Sequence, residues 1–184
     1  MLYQGILLSG LPFSGKSTLK DLVIERTGWG YYGVGDTWKT KFRADNPGRP
    51  MSEFPAWWAR TTDEENIKVN KWLRTMVEEK LKNGESMVVD TRYPPPLKGL
   101  PLLRIFVSAD MAIRVTRAVD KKLYPTREEA ESTLKRREDD EYKMGMKWFG
   151  VDYRDPRLYD LIIDSGKMRP DEELAKVLAA LSHK

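Results

Sequence analysis

Residues 10–18 read Gly-Leu-Pro-Phe-Ser-Gly-Lys-Ser-Thr: two glycines bracketing four residues, then a lysine and two hydroxyl side chains. That spacing suits wrapping a main chain around a polyphosphate. Gly10 and Gly15 let the backbone curl closely about an anion, and the amides from Ser14 onward, at a helix start, point at phosphate oxygens. Lys16 is set to reach the β- and γ-phosphates and the Ser17 hydroxyl to ligate Mg²⁺; Ser14, Gly15 and Thr18 complete the candidate triphosphate site. The loop lies between an apolar run and a helical pattern, the context in which this motif works.

A bound triphosphate can be hydrolysed, sensed or handed on. No Asn-Lys-x-Asp guanine-reading motif is present, and 184 residues are too few for an AAA-type motor. A small phosphotransferase remains, with a module that binds ATP without transferring phosphate as the competitor from another class.

A transferase needs groups that hold an acceptor. Met87-Val88-Val89-Asp90 is an apolar run ending in an acid, which places Asp90 beside the loop as a Mg²⁺ ligand, directly or through water. Arg92, two residues on, falls at the carboxyl edge of the sheet, where ligands bind and a guanidinium can grip phosphate with two bonds. Asp36, Lys39 and Arg43 recur one helical turn apart. Arg114, Arg117 and Lys121 form a basic stripe, and residues 134–143 concentrate more charge; basic groups around a migrating phosphoryl, with water excluded, are a recurrent solution. Of the adjacent pair Trp57 and Trp58, one can stack on a base while the other packs. His183 sits in the tail and takes no role.

These groups need a scaffold. The chain is 40% apolar and 33% charged with a net charge of +4, an ordinary globular composition that fits one domain over 1–184. The basic excess is mixed along the sequence, so nucleic acid is not an expected partner. Having no cysteine excludes disulfides and thiolate chemistry. Nothing approaches the ~18 apolar residues of a membrane span and no secretory signal is visible, so the expectation is a soluble, cytoplasmic monomer. Strand signals fall at 3–9, 31–35, 86–90, 102–108 and 158–164, and helical ones from 14 or 15 to 27, at 63–82, 111–121 and 127–146, and from Pro170 on an inner face of Leu174, Val177, Leu178 and Leu181. Asp110 is expected to cap the helix at 111 with its carboxylate. In the helix at 63–82, Val69, Trp72, Leu73, Met76, Val77 and Leu81 make one buried stripe, with core the job for Trp72. Residues 45–62 and 91–101 are proline-rich and read as irregular. Alternating strands and helices with continuously apolar strands make an α/β fold, a parallel sheet covered on both faces.

With the phosphate loop, the Gly-Asp after the second strand, the acid-ended third strand and the charged helix in place, the chain resembles the nucleoside monophosphate kinases. Its C-terminal third is similar to the cytidylate kinase-like family, which follows a charged lid helix with aromatic-Gly-x-Asp, Asp-Pro, Tyr-Asp-Leu and an Ile-Asp-Ser/Thr strand end. Here these are Phe149-Gly150-Val151-Asp152, Asp155-Pro156, Tyr159-Asp160-Leu161 and Ile163-Asp164-Ser165. The resemblance implies a three-layer P-loop NTPase fold with a five-stranded parallel sheet, an acceptor segment at about 36–83 and a lid at about 122–146. It implies MgATP-dependent phosphorylation of CMP and dCMP. Lys16 and Ser17 would hold ATP and Mg²⁺, Asp36 and Lys39 face the acceptor, Arg92 grip its phosphate, and Arg137 with Arg136 close over the transferring group.

Lys39 stands where the family often has arginine, Asp90-Thr91-Arg92 replaces the usual Glu-Gly-Arg, and Pro94-Pro95-Pro96 makes that loop unlike the family's. Asn66 and Asn70 fall where aspartates are common. Two amides on one helix face suit a pyrimidine edge, and because an amide can flip, the expected rejection of UMP is weak. Arg60 and Asp63 are the other candidates for reading the base. Adenylate, a deoxynucleotide and dephospho-coenzyme A stay open as acceptors.

Overall fold

The computed structural model describes residues 3–58 and 60–182, so His183 lies outside the described residues. Five strands, β1 (Gly5–Gly10), β2 (Gly30–Gly33), β3 (Met87–Asp90), β4 (Leu102–Ser108) and β5 (Leu161–Asp164), form one sheet in the order β2-β3-β1-β4-β5. All four pairings are parallel, with Leu8 of β1 opposite Asp90 of β3 and Ile105 of β4.

Four of the strands lead into helices: β1 into α1 (Lys16–Thr27), β2 into α2 (Val34–Asp45), the short α3 (Phe54–Trp58) and α4 (Asp63–Lys82), β4 into α5 (Met111–Asp120) and α6 (Arg127–Phe149), and β5 into α7 (Pro170–Ser182). By contrast, β3 runs on to β4 through a 3₁₀ turn alone. The central strand β1 is buried at all six positions because both faces are covered. Ile6, Leu8, Val88 and Ile105 meet Leu19 and Val23 of α1 and Val177 of α7. On the opposite face Leu7, Met87 and Val89 meet Leu73, Val77 and Leu81 of α4. Burying each such side chain is worth about 1.5–3 kcal/mol, so the covering of both faces of β1 contributes to holding the scaffold together.

Several boundaries differ from the sequence expectation. The second strand stops at Gly33, because α2 opens at Val34 and takes Gly35 and Asp36 into its first turn. The last strand starts at Leu161, after Pro156–Leu158 has turned the chain in a 3₁₀ helix. The proline-rich stretches are not irregular throughout: they hold α3 and two 3₁₀ turns, Met51–Glu53 and Pro95–Leu97. Asp110 is the N-cap residue of α5 but makes no capping bond with its side chain; its carbonyl serves the first turn by accepting from the amides of Ile113 and Arg114, each at 3.1 Å. Thr62 does cap α4 with its hydroxyl, in a reciprocal box with Glu65.

Trp72 is 49% exposed rather than core. The buried face of α4 runs through Asn66, Asn70, Leu73, Val77 and Leu81, and Trp72 lies about 100° around the helix from Leu73. The buried stripe thus begins with two amides. At the far end of α6, Gly145 comes so close to its neighbours that an added Cβ would sit 2.9 Å from the carbonyl oxygen of Val151 and 3.0 Å from the Tyr93 ring. Among the described residues no helix is long and apolar enough to cross a membrane.

Candidate functional site

A cleft of about 1110 Å³ opens at the carboxyl ends of the strands. One end is formed by the loop from Leu11 to Thr18, Arg117, Lys121, Tyr124, Ser165 and Glu173. The other carries Asp36, Lys39, Trp58, Asn66, Asn70 and Arg92, and Arg136, Arg137 and Glu141 of α6 stand over both.

The loop is shaped by contact. A Cβ on Gly10 would lie 2.3 Å from the carbonyl oxygen of Val107, so only glycine lets β1 turn there against β4. Gly15, in the left-handed region at φ 88°, is the N-cap of α1 and leaves its first-turn amides open to the cleft. Arg117 holds the loop from outside: Nη1 donates to Ser165 Oγ at 2.8 Å and to the Phe13 carbonyl at 3.3 Å, and Nη2 donates to the Ser165 carbonyl at 2.9 Å. Ser165 Oγ in turn donates to the Ser14 carbonyl. The stripe on α5 is therefore largely a brace. Arg114, buried at 3% exposure, donates to the carbonyls of Ala109 and Pro12 and pairs with Glu138, and it does not line the cleft.

Lys16 is ion-paired with Asp90. Burial pushes the Lys16 ammonium below the usual lysine range, and Asp90 offsets part of that. Ser14 Oγ is buried with no partner among the described residues. A phosphate-bound Mg²⁺ fits these donors: Ser17 and Asp90 line one cleft beside the loop, and among the described residues no cluster of three or more His, Cys, Asp or Glu forms a metal cage. Magnesium keeps water and phosphate ligands and needs few from protein.

At the other end, side chains pair among themselves. Asp36 accepts from Tyr31 Oη at 2.7 Å and from Lys39 Nζ at 2.9 Å. Burial works to raise its carboxyl, but these two donors hold it below the usual carboxylate range. Asn66 Nδ2 donates to Thr61 Oγ1 at 3.0 Å and to the Thr62 carbonyl at 2.9 Å, and Asn70 Nδ2 donates to the Asn66 carbonyl at 2.8 Å. Flipping either amide would set oxygen against oxygen. Asn70 is thus left with a buried Oδ1 that has no partner among the described residues, an acceptor lining the cleft. Arg92 stacks over Tyr153, 5.4 Å to the ring centre, and its Nε lies 3.1 Å from Glu141 Oε2, while its buried Nη1 has no partner among the described residues.

Of the residues singled out from sequence, Gly15, Lys16, Ser17, Thr18, Asp36, Lys39, Asn66, Asn70, Asp90, Arg92, Arg136 and Arg137 meet in this cleft with Ser14. Arg43 and Arg60 are exposed and do not line it, and Asp63 is turned to Trp148 and Lys147. For Arg43 the reason is rotation, since α2 buries Trp38 and Phe42 and turns the next residue to solvent. Of the tryptophan pair, Trp58 lines the cleft; Trp57 packs edge-on against Trp38 and Phe42, at 6.0 and 5.5 Å. Sequence reasoning missed Glu141, Ser165 and Glu173. Glu173 is 4% exposed at the Lys16 end, with its carboxyl pushed up by burial. Ser165 carried a signal, as the last residue of the Ile-Asp-Ser strand end; Glu141 sat unmarked in a run of acids.

A parallel sheet with a phosphate loop after its first, central strand and a cleft across its carboxyl edge defines a P-loop kinase fold. Solved structures share it: an uncharacterized protein from Eubacterium ventriosum at 14% identity, covering 98% of this chain and 99% of its own, with TM-score 0.74. Shikimate kinase from Aquifex aeolicus aligns at 15% identity over 96% and 95%, with TM-score 0.54. The chain belongs to the cytidylate kinase-like family, whose model matches residues 33–167, and so to the nucleoside monophosphate kinases. Its curated relatives include the cytidylate kinases of Pyrococcus furiosus, 28% identical over 97% of this chain and 88% of the relative, and of Archaeoglobus fulgidus, 26% identical over 97% and 95%.

Proposed function

We propose that the protein transfers the γ-phosphate of MgATP to a nucleoside monophosphate, CMP or dCMP, yielding the diphosphate and ADP. The observation that carries this reading is the Arg92 guanidinium, whose buried Nη1, without a partner among the described residues, stands in the same cleft as the phosphate loop. A module that merely sensed ATP would have no use for a second anion site.

The loop amides and Lys16 hold the triphosphate, and Lys16 follows the charge that moves onto the β–γ bridge as the phosphoryl leaves. Ser17 and Asp90 are the residues that would hold Mg²⁺, which neutralises the phosphate oxygens when bound. Arg92 takes the acceptor phosphate end-on, and Arg136 and Arg137 supply positive charge above the transferring group. Asp36 and Lys39 flank the acceptor. The buried Oδ1 of Asn70 supports an acceptor base with an exocyclic amine, since a ring carbonyl placed there would meet another oxygen. That favours cytosine over uracil more strongly than a free amide would. Adenine also carries an amine, and the family likeness is what favours cytosine over it.

The test is ADP formation from ATP and Mg²⁺ with CMP, dCMP, UMP, AMP and GMP in turn. The reading expects CMP and dCMP to exceed UMP by at least an order of magnitude. AMP outrunning CMP overturns the cytidylate assignment, and slow ATP loss unaffected by any monophosphate overturns transfer itself.

A further inference from the structure

One carboxylate touches both halves of the machinery just described. Glu141 lies in the middle of α6 with its side chain 12% exposed. Its Oε2 is 3.1 Å from Arg92 Nε and accepts from Tyr153 Oη at 3.1 Å. Its Oε1 accepts from Arg137 Nε at 2.9 Å. Its carbonyl accepts from Tyr93 Oη at 2.9 Å, so the residue is tied by main chain as well as side chain to the segment after β3. The two arginines it shares are the ones the proposed reaction assigns to the acceptor phosphate and to the moving phosphoryl.

A guanidinium has an Nε edge and an Nη end. With its Nε edge on Glu141 and its face on Tyr153, Arg92 has its Nη end left for an anion. Burial works against the Arg92 charge, and Glu141 is the leading group that holds it. Arg137 differs: its side chain is 50% exposed, so it is free to leave Oε1.

We propose that Glu141 is a positioning residue which aims Arg92 at the acceptor phosphate and parks Arg137 on its second oxygen until the phosphoryl groups draw it away. The inference rests on the functional reading above. It predicts that the charge on Glu141 governs the acceptor and not ATP. A structural ion pair that merely steadies α6 would instead lower the active fraction, reducing kcat and leaving both Michaelis constants alone.

The experiment is steady-state kinetics of Glu141→Gln with CMP and ATP varied separately, joined by calorimetric titration of CMP without ATP. The expected result is a rise of about tenfold in the CMP Michaelis and dissociation constants, the scale of losing one charge-assisted bond, with the ATP constant within twofold. Tyr153→Phe, which deletes one hydroxyl and keeps the ring under Arg92, should move the CMP constants the same way by about two- to threefold. It reports on Glu141 even if the glutamine variant folds poorly. If both variants bind CMP as the wild type does, or if the ATP constant rises as much as that of CMP, the inference fails while the kinase reading stands. A wild type that turns over none of the five monophosphates overturns the kinase reading and this inference with it.

Discussion

The Lys16 end of the cleft is built around a main-chain loop with open helix-start amides, whereas the Arg92 end is built from side chains on several elements. The loop is held in shape from behind by Arg117, Arg114 and Ser165, which bond its carbonyls and leave its amides for the ligand. Among the described residues the opposite end has no such backbone cradle. Asp36, Lys39, Asn66, Asn70 and Arg92 are each set by a neighbouring side chain or a single carbonyl. Main-chain amides look alike in any sequence, so the first design binds what all triphosphates share. Side chains can be exchanged one by one, so the second is where one acceptor is told from another.

Lys16→Ala tests the first end at the loop's own lysine. The expected loss is ~10²–10³-fold in kcat, as for removal of a single preorganised electrostatic donor, read from initial rates at saturating ATP and CMP. Activity within a few-fold of wild type would mean the loop does not cradle the donor. Arg92→Lys tests the second end. Replacing a planar fork with a hydrated point charge should raise the CMP Michaelis constant about tenfold while that of ATP stays put. Should the ATP constant move instead, Arg92 belongs to the other end and the contrast collapses.

A finer test replaces Asn70 with leucine, which keeps the volume and removes the buried Oδ1. The ratio of CMP to UMP specificity constants should fall about three- to tenfold, one neutral hydrogen bond's worth, with dCMP tracking CMP. An unchanged ratio places base reading elsewhere in the cleft, with Trp58 and Lys39 the next residues to change.

The smallest effect on activity is expected outside both ends. Asp160, from the Tyr-Asp-Leu motif, accepts from Arg104 Nε at 3.0 Å, from Arg104 Nη2 at 2.7 Å and from the Arg104 amide at 2.9 Å, fastening the start of β5 to β4. Burial tends to raise its carboxyl, but Arg104 outweighs that and holds it below the usual range. A depressed carboxylate stabilises the fold above its unfolded value, near ~3.9, and that contribution fades as pH falls through the folded value. Asp160→Asn should therefore cost about 1–2 kcal/mol at pH 7, after discounting for partial exposure, and leave both Michaelis constants unchanged. Thermal unfolding at pH 7 and in acid should show the gap from wild type closing in acid; a gap that widens would mean the pair does not stabilise the fold.

The same contrast explains what was legible in the sequence. The phosphate loop is contiguous, so its spacing alone announced it, and the strands that carry it are runs of apolar residues. The Arg92 end is assembled from α2, α4, α6 and the segment after β3, and spacing reports only which residues share a helix face. It set Asp36 beside Lys39 and Asn66 beside Asn70 correctly, yet left Arg43 in the site and Trp72 in the core. Both errors arise because a face is named by periodicity but buried by a partner. The orientation of the asparagine amides was beyond reach for the same reason, since it depends on carbonyls one turn back. Glu141 gave no local sign, because its partners lie 49 residues upstream and 12 downstream as well as on its own helix.

Gly145 does no chemistry and yet sets a length on which chemistry depends. It is the gauge that fixes how far the axis of α6 stands from the Tyr93 ring and from the carbonyl of Val151. Any β-carbon there must push one of them aside by several tenths of an ångström, and Glu141, one turn earlier on the same stiff rod, must travel with it. The separation of 3.1 Å between Glu141 and Arg92 is thus machined by an atom that is missing four residues away.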